Sequence, residues 1–432
     1  MSYLQGILHR PAPAATETIQ LMKKRNLCVA MLHSGGPAPG GNRVIGAAAK
    51  QFLDQGIRVI LFRRGYEFLQ ATAADQLIAG THYIEVTPEI ASNMIEIDST
   101  ICKTSRANPG EKVKKPADLE DAAKTQALTH ILDVFEALRV GALVSIGGDD
   151  TLRTANFLQE LTIPRAKIHP DNHFMGVVHV PKTIDNDYFG ISWTFGFFSA
   201  AEAAGKRLLG LYNDACTTSS YFVAELMGRK AGWYTIAASI FGRASFTLIP
   251  EDFEDVQVID LRKLAEEIID EIVLPRERQG KDYGVISIAE GLAEKLPPEI
   301  VQALRTDRFG HPKFSDARIG DRLASELEQV YRERTGKEKA FKGGNQIGYE
   351  TRQVKPSLYD ALLTSQLGVG AYRLIAERRL GHMVTIRSNL RIAQIAFAHL
   401  VDSATLKVKN RNVDRNGDFY ALLRALEAYQ PY

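Results

Sequence analysis

Short apolar runs recur along the chain, separated by stretches whose apolar positions follow a helical period. "LCVAML" (27–32) reads as a strand. It is followed by "NRVIGAAAKQFLDQG" (42–56), whose spacing predicts a helix closed by Gly56 just past its end. "IRVILF" (57–62) completes a strand–helix–strand unit. Further strands are predicted at "GALVSIG", "FMGVVHV", "YFVAEL", "SFTLIP", "YGVISIA" and "MVTI". Helices are predicted between them, notably over 196–215 and 357–379. Strands apolar on both faces with helices between them predict α/β architecture with mainly parallel sheets flanked by helices. In such sheets ligands bind beyond the carboxyl ends of the strands, where this chain's glycine and aspartate clusters fall. No tandem repeat of fixed period is present.

Length changes the picture first. At 432 residues the chain exceeds what one core serves, so two Rossmann-like lobes facing a cleft are expected, with the active site in that cleft. The divisions expected are an extension over 1–26, with "PAPAA" (11–15) as a loose lead-in, and two lobes. The larger lobe takes 27–195 with about 353–400, and the smaller takes 196–352 with a tail over 401–432. Charge excludes more than it suggests: 53 basic against 51 acidic residues leave +2, so no basic stripe calls for nucleic acid. The runs "KKR" (23–25) and "KVKK" (112–115) read as capping or solvating local segments. Cys28, Cys102 and Cys216 match no metal or disulfide spacing, and Cys28 reads as core. The ten histidines are dispersed without an HExxH pair. No apolar run of about 18 residues and no secretory leader pattern occur, so a cytoplasmic, membrane-free protein is expected.

The candidate chemistry lies in loops after predicted strands. "HSGGPAPGGN" (33–42) brings Gly35, Gly36, Gly40 and Gly41 to a helix start, where bare backbone can approach an anion and Asn42 can cap. It matches neither GxGxxG nor the P-loop, and a purely structural turn fits it as well. "GGDDT" (147–151) sets Asp149 and Asp150 where a phosphate cradle would lie. One aspartate there suits Mg²⁺, a cation that takes one or two carboxylates with phosphate oxygens; the second could be a helix cap. "PKTIDND" (181–187) places Asp185 and Asp187 two apart in a loop, suited to base and metal roles or to a salt-bridged turn. Lys182 adds a compact cation able to neutralise charge on a transferring phosphoryl group. Arg106 sits in a loop from which it can reach phosphate or simply face solvent. "ELMGRKAGW", "IAEGL" and "GGNQIGYETR" add Arg229, Glu290, Tyr349 and Arg352, polar groups beside glycines that suit a sugar phosphate or a packing and ion-pair role.

In this order, "GGPAPGGN", "GGDDT", "PKTIDND", "MGRKAGW" and "YETR" resemble the 6-phosphofructokinase family, from about Leu27 to Asn389. The resemblance implies Mg²⁺-dependent phosphoryl transfer to the 1-hydroxyl of fructose 6-phosphate, in a homodimer or homotetramer. It implies Asp185 as general base, Thr183 and Asp185 touching the sugar, and Asp187 supporting the site as a further metal candidate. Asp149 would hold Mg²⁺ and the Gly36 backbone would meet the donor. Met227, Gly228, Arg229, Glu290, Tyr349 and Arg352 would bind fructose 6-phosphate, and Arg106 would lean on the transferring group. ATP-using members resemble "GGDGS" and "PGTIDND", with glycine where Asp150 and Lys182 stand here; members carrying Asp and Lys use inorganic pyrophosphate. Physics gives that a reason. At about 4 Å and an effective dielectric near 20, a carboxylate in the place of a nucleotide α-phosphate repels it by about 4 kcal/mol. Pro37 and Tyr349 stand where ATP users often carry aspartate and histidine, as in the pyrophosphate branch. Ser219 and Ser220 stand where relatives often carry an arginine that reaches across a subunit interface. The rivals are an ATP-dependent enzyme, a relative acting on sedoheptulose 7-phosphate, an inactive regulatory subunit and a dinucleotide oxidoreductase. The last lacks its glycine fingerprint.

Overall fold

The computed structural model describes residues 16–168, 173–306, 312–387 and 389–427. "PAPAA" lies outside these residues. Within the expected extension, Glu17–Lys24 is a helix, capped by the Thr16 side chain and carrying Lys23 and Lys24 in its last turn. The basic run "KKR" therefore ends a helix, where its charges complement the dipole.

The described strands run β1 (Cys28–His33), β2 (Val59–Phe62), β3 (Tyr83–Glu85), β4 (Val140–Gly147), β5 (Gly176–Pro181), β6 (Tyr221–Leu226), β7 (Phe246–Leu248), β8 (Gly284–Ala289), β9 (Phe341–Ile347), β10 (His382–Ile386) and β11 (Ile392–Ala396). They form two sheets, ordered β11-β10-β5-β4-β1-β2-β3 and β7-β8-β6-β9. The chain divides accordingly into two compact units. One comprises Met1–Gly35, Asn42–Pro181 and Thr364–Val408, the other Gly36–Gly41, Lys182–Leu363 and Lys409–Tyr432.

In the first unit, β10, β5, β4, β1 and β2 are parallel. Both edge strands depart from that direction: β3 pairs antiparallel with β2, and β11 with β10. β11 follows β10 after a short connection, whereas β3 is reached from β2 over residues 63–82, and neither connection crosses back through an α-helix. β1, β4 and β5 are buried along their whole length, as expected of strands covered on both faces. Cys28 is fully buried in β1, and burial pushes its thiol up to about 11. From β1 the chain builds outward to β2 and β3, then returns to place β4, β5 and β10 on the other side. The order therefore switches between β1 and β4, the position at which open α/β sheets make their ligand crevice.

In the second unit all four strands are parallel. Tyr221, Val223, Ile286, Ile288, Leu323, Leu327 and Phe341 lie in one continuous apolar core. The sheet order switches between β6 and β9.

Candidate active site

In the first unit the sheet delivers two acids directly from strand to helix. β4 ends at Gly147, where a Cβ would come within 2.3 Å of Thr151 Oγ1. Only glycine lets the helix Asp149–Ile168 start so close to its strand. Asp149 and Asp150 thus lie inside the first turn rather than ahead of it, and the Asp150 N–H donates to Asp149 Oδ1 at 3.0 Å. Free backbone N–H groups and the positive end of the dipole favour negative charge there, from side chains or from a bound anion. Asp149 is half-buried and Asp150 exposed.

At the end of β1 the chain turns at Gly35, whose φ of +82° only glycine adopts freely. The Gly35 N–H donates to the Ser105 carbonyl at 2.8 Å, and Thr104 Oγ1 donates back to the Gly35 carbonyl at 2.6 Å. These bonds hold Arg106, which is exposed, beside the end of β1. Asn42 does not simply cap its helix. Its amide donates to the Ile97 and Ser99 carbonyls and accepts from the Ile101 N–H, tying the helix Gly41–Asp54 to the segment that leads to Arg106.

In the second unit, Lys182 follows Pro181, the residue paired with Gly147 in the first unit's sheet. Lys182 is 5% exposed and bridges to Phe195 through its backbone. An ammonium buried to this degree requires polar or anionic company. The loop from Thr183 to Thr194 closes around Asn186, which is fully buried with φ +55°. Asn186 Oδ1 accepts from the Thr194 N–H at 2.9 Å and from Thr194 Oγ1 at 3.3 Å. Thr194 Oγ1 also donates to the Thr183 carbonyl at 2.8 Å, and the Asp185 N–H donates to Thr183 Oγ1 at 3.0 Å. Asp185 and Asp187 flank Asn186 and are half-buried. The buried amide thus anchors the backbone from which both carboxylates project.

The remaining candidates follow the carboxyl ends of neighbouring parallel strands. Leu226 of β6 pairs with Ala289 of β8 and with Ile347 of β9. Met227–Arg229, Glu290 and Tyr349–Arg352 therefore emerge side by side. The Met227 N–H donates to the Ile347 carbonyl at 3.2 Å, and the Gly291 N–H to the Gly228 carbonyl at 3.2 Å. A Cβ on Gly291 would strike the Arg229 carbonyl at 2.2 Å, so β8 and β6 loops meet through glycine. Gly228 itself has φ +131°. The Arg229 guanidinium lies 5.1 Å from the Phe314 ring centre, and that of Arg352 lies 4.9 Å from that of Tyr349. Arg352 Nε is buried with no acceptor among the described residues, and the Arg352 fork lies 3.1 Å from where a Cβ on Gly36 would be. Tyr349 is 72% exposed.

Asp185 belongs to the same neighbourhood. Burial raises the pKa of the Tyr234 phenol, and its bond to Thr351 Oγ1 at 3.0 Å opposes that. The negative charges of Asp185 and Glu350 raise it further, while Arg352 lowers it. Charges interact at this level only over short distances.

Several contributors carry no local sequence signal. Asn186, Thr194 and Tyr234 act through folding contacts. Glu225, at 4% exposure on β6, is pushed up to about 7 by burial, although Gln346 Nε2 and the Gly320 N–H donate to its carboxyl at 3.2 and 3.4 Å. A buried acid inside "YFVAEL" stood out only as an interruption of an apolar run.

A cation would be held sparingly. Among the described residues no three acidic, histidine or cysteine side chains cluster as a metal site. One or two carboxylates completed by phosphate oxygens and water fit that arrangement, which is how Mg²⁺ is commonly bound. Asp149, half-buried at a helix start, suits it. Among the described residues no helix is long and apolar enough to cross a membrane.

The fold and these strand-end loops define an α/β protein of the phosphofructokinase type. A "Pyrophosphate-dependent phosphofructokinase" structure from Nitrosospira multiformis superposes with TM-score 0.66 at 19% identity, covering 94% of each chain. A phosphofructokinase structure from Saccharomyces cerevisiae gives 0.64 at 21% identity over 86% of this chain, which spans 45% of that longer chain. In sequence, a protein of Naegleria fowleri named "Pyrophosphate--fructose 6-phosphate 1-phosphotransferase" is 31% identical over 91% of this chain and 86% of its own. One from Corynebacterium efficiens named "ATP-dependent 6-phosphofructokinase" is 31% identical over 88% of this chain and 94% of its own. The family model "Phosphofructokinase" matches residues 28–375. The chain belongs to the phosphofructokinase family and is a phosphotransferase.

Proposed function

We propose that this chain transfers a phosphoryl group reversibly from inorganic pyrophosphate to the 1-hydroxyl of fructose 6-phosphate, giving fructose 1,6-bisphosphate and phosphate. The observation that carries the choice of donor is Asp150, fixed in the first turn of the helix Asp149–Ile168, together with the buried Lys182. A carboxylate there repels a nucleotide α-phosphate, while pyrophosphate has no α-phosphate to repel. Reversibility follows from the chemistry, since an anhydride is exchanged for an ester without a nucleotide.

Asp185 takes the proton of the sugar hydroxyl as it attacks. Thr183 accepts the Asp185 N–H and so holds that residue's backbone in place. Lys182 and Arg106 offset charge on the phosphoryl group in transit. Arg229 and Arg352 bind the sugar phosphate, with Met227, Gly228, Glu290 and Tyr349 around it. Gly36 leaves backbone open to the donor. Asp149 would hold Mg²⁺, with Asp187 as a further candidate; when bound, the ion screens the phosphate oxygens as negative charge builds on them. A cytoplasmic homodimer or homotetramer is expected with this reading.

The second reading is ATP as donor, favoured by the Corynebacterium efficiens relative's name. Steady-state assays of the purified chain with Mg²⁺ decide between them. Fructose 6-phosphate should be turned over with pyrophosphate and not with ATP, and the reverse outcome overturns the proposal. Sedoheptulose 7-phosphate, assayed in parallel, tests the acceptor: a higher kcat/KM than for fructose 6-phosphate moves the assignment to that sugar.

A further inference from the structure

The loop that bears Asp185 is held from outside by a residue more than two hundred positions away. Arg411 lies in the segment following Lys409, in the same unit. Its N–H donates to the Asp187 carbonyl at 2.8 Å. Its Nη1 donates to the Ile191 carbonyl at 3.0 Å and also to the Ser192 carbonyl. Ser192 O is shared, because Asn186 Nδ2 donates to it at 3.4 Å. A guanidinium and the buried amide between the two aspartates therefore converge on one carbonyl.

Arg411 is itself immobilised. Its guanidinium lies 4.2 Å from the Trp233 ring centre and 5.9 Å from that of Trp193, two rings set edge to face at 84°, and a cation–π contact on Trp233 favours a flat, weakly hydrated cation. Trp233 Nε1 donates to the Arg411 carbonyl at 3.0 Å. Phe419 stacks on Trp233 at 5.4 Å. Two residues on, the Val413 N–H donates at 2.8 Å to Glu251, whose buried carboxylate also accepts from the Gly232 N–H at the start of the helix Trp233–Gly242. Tyr188 and Asn410 pair through their backbones. This is more than a surface tether: the segment lies along the loop, bonded at Asp187, Tyr188, Ile191 and Ser192.

We infer that Arg411 is a positioning residue for the phosphoryl transfer, fixing through Ser192 and Asn186 the direction in which Asp185 presents its carboxylate. The inference rests on Asp185 being the base. Arg411 touches none of the proposed substrate-binding side chains in the contacts above, so it should govern turnover rather than affinity. Misplacing a reacting group by about 1 Å costs on the order of a hundredfold in rate.

The test compares Arg411→Met, Arg411→Lys and Asp185→Asn with the parent chain, recording kcat, both KM values and the thermal midpoint. Arg411→Met keeps a stem on the tryptophans and removes the donors; it should lower kcat by roughly ten- to a hundredfold with KM changed less than about threefold. Arg411→Lys, whose ammonium cannot stack flat on the Trp233 ring, should recover part of that loss and remain below the parent. A folded Arg411→Met with kcat within about twofold of the parent, beside an Asp185→Asn that loses turnover, overturns the inference alone. A loss carried by KM instead of kcat also overturns it. If Arg411→Met does not fold, Arg411→Lys decides, and parental kcat in it counts against the inference. If Asp185→Asn retains parental kcat, the base assignment fails first, and the inference falls with it.

Discussion

The two acid-bearing loops are built on opposite plans. Asp149 and Asp150 are carried by regular structure: a buried strand, a glycine, then a helix whose first turn includes both. Their positions follow from a few adjacent residues, and the closest constraint is Thr151 against Gly147. Asp185 and Asp187 sit in an irregular loop with a left-handed Asn186, and their positions depend on Thr194 and Arg411. A helix end satisfies its own geometry, whereas an irregular loop holds one shape only if its polar backbone groups find partners elsewhere. The donor-side acids should therefore respond to local changes. Asp185, the proposed base, should respond also to changes far along the chain.

The largest effect should come from Asp185→Asn, which removes the proposed proton acceptor while leaving the amide able to bond. A fall in kcat of about 10²–10⁴-fold is expected, with the fold intact by circular dichroism. Next is Asp149→Ala. It should raise the Mg²⁺ concentration needed for half-maximal rate by roughly tenfold or more and lower the thermal midpoint only slightly, because one favourable first-turn charge, worth about 0.3–1 kcal/mol, is lost from the helix start. Asn186→Ala sharpens the contrast. It leaves the buried Thr194 N–H without its acceptor inside the protein, at a cost of about 1–3 kcal/mol, so both kcat and the melting midpoint should fall. A donor-side change that destabilised the fold as much as Asn186→Ala would break the comparison.

A smaller effect concerns pH. The Glu225 carboxyl is raised by burial from an ordinary 4.5 to about 7, so the folded chain keeps a proton that the unfolded chain releases between those values. The stability this contributes is full below about 4.5 and is lost as pH rises through about 7. Glu225→Gln should flatten the dependence of the melting midpoint on pH across that window, and an unchanged slope would remove Glu225 as its source.

Much of the framework was legible because it is written in local pattern. The apolar runs at 27–32, 141–147 and 221–226 are strands β1, β4 and β6 within a residue or so at each end. The long predicted helices are Phe197–Thr218 and Leu358–Ala376. β9 was not legible, because "FKGGNQI" mixes glycine and polar residues; its pairing with β6 makes it a strand, not its composition. The antiparallel edges β3 and β11 were missed because direction depends on the connection and not on the run. At the site, glycine-flanked acids and arginines were visible as types in loops. The supports were not. Asn186 gives no signal beyond its place in "TIDND", and Arg411 reaches its loop only after the chain has folded. Sequence shows where charge is carried, while long-range hydrogen bonds decide how it is aimed.

The central proposal is that Asp150 excludes the nucleotide and so makes pyrophosphate the donor. The direct measurement is kcat/KM for pyrophosphate and for ATP in the parent and in Asp150→Gly, at fixed Mg²⁺ and fructose 6-phosphate. With two unit charges costing about 4 kcal/mol at close range, ATP use should be undetectable in the parent and appear in Asp150→Gly, while pyrophosphate use weakens. Turnover with ATP but not pyrophosphate in the parent would contradict the claim, and Asp150 would then be an ordinary first-turn acid of its helix.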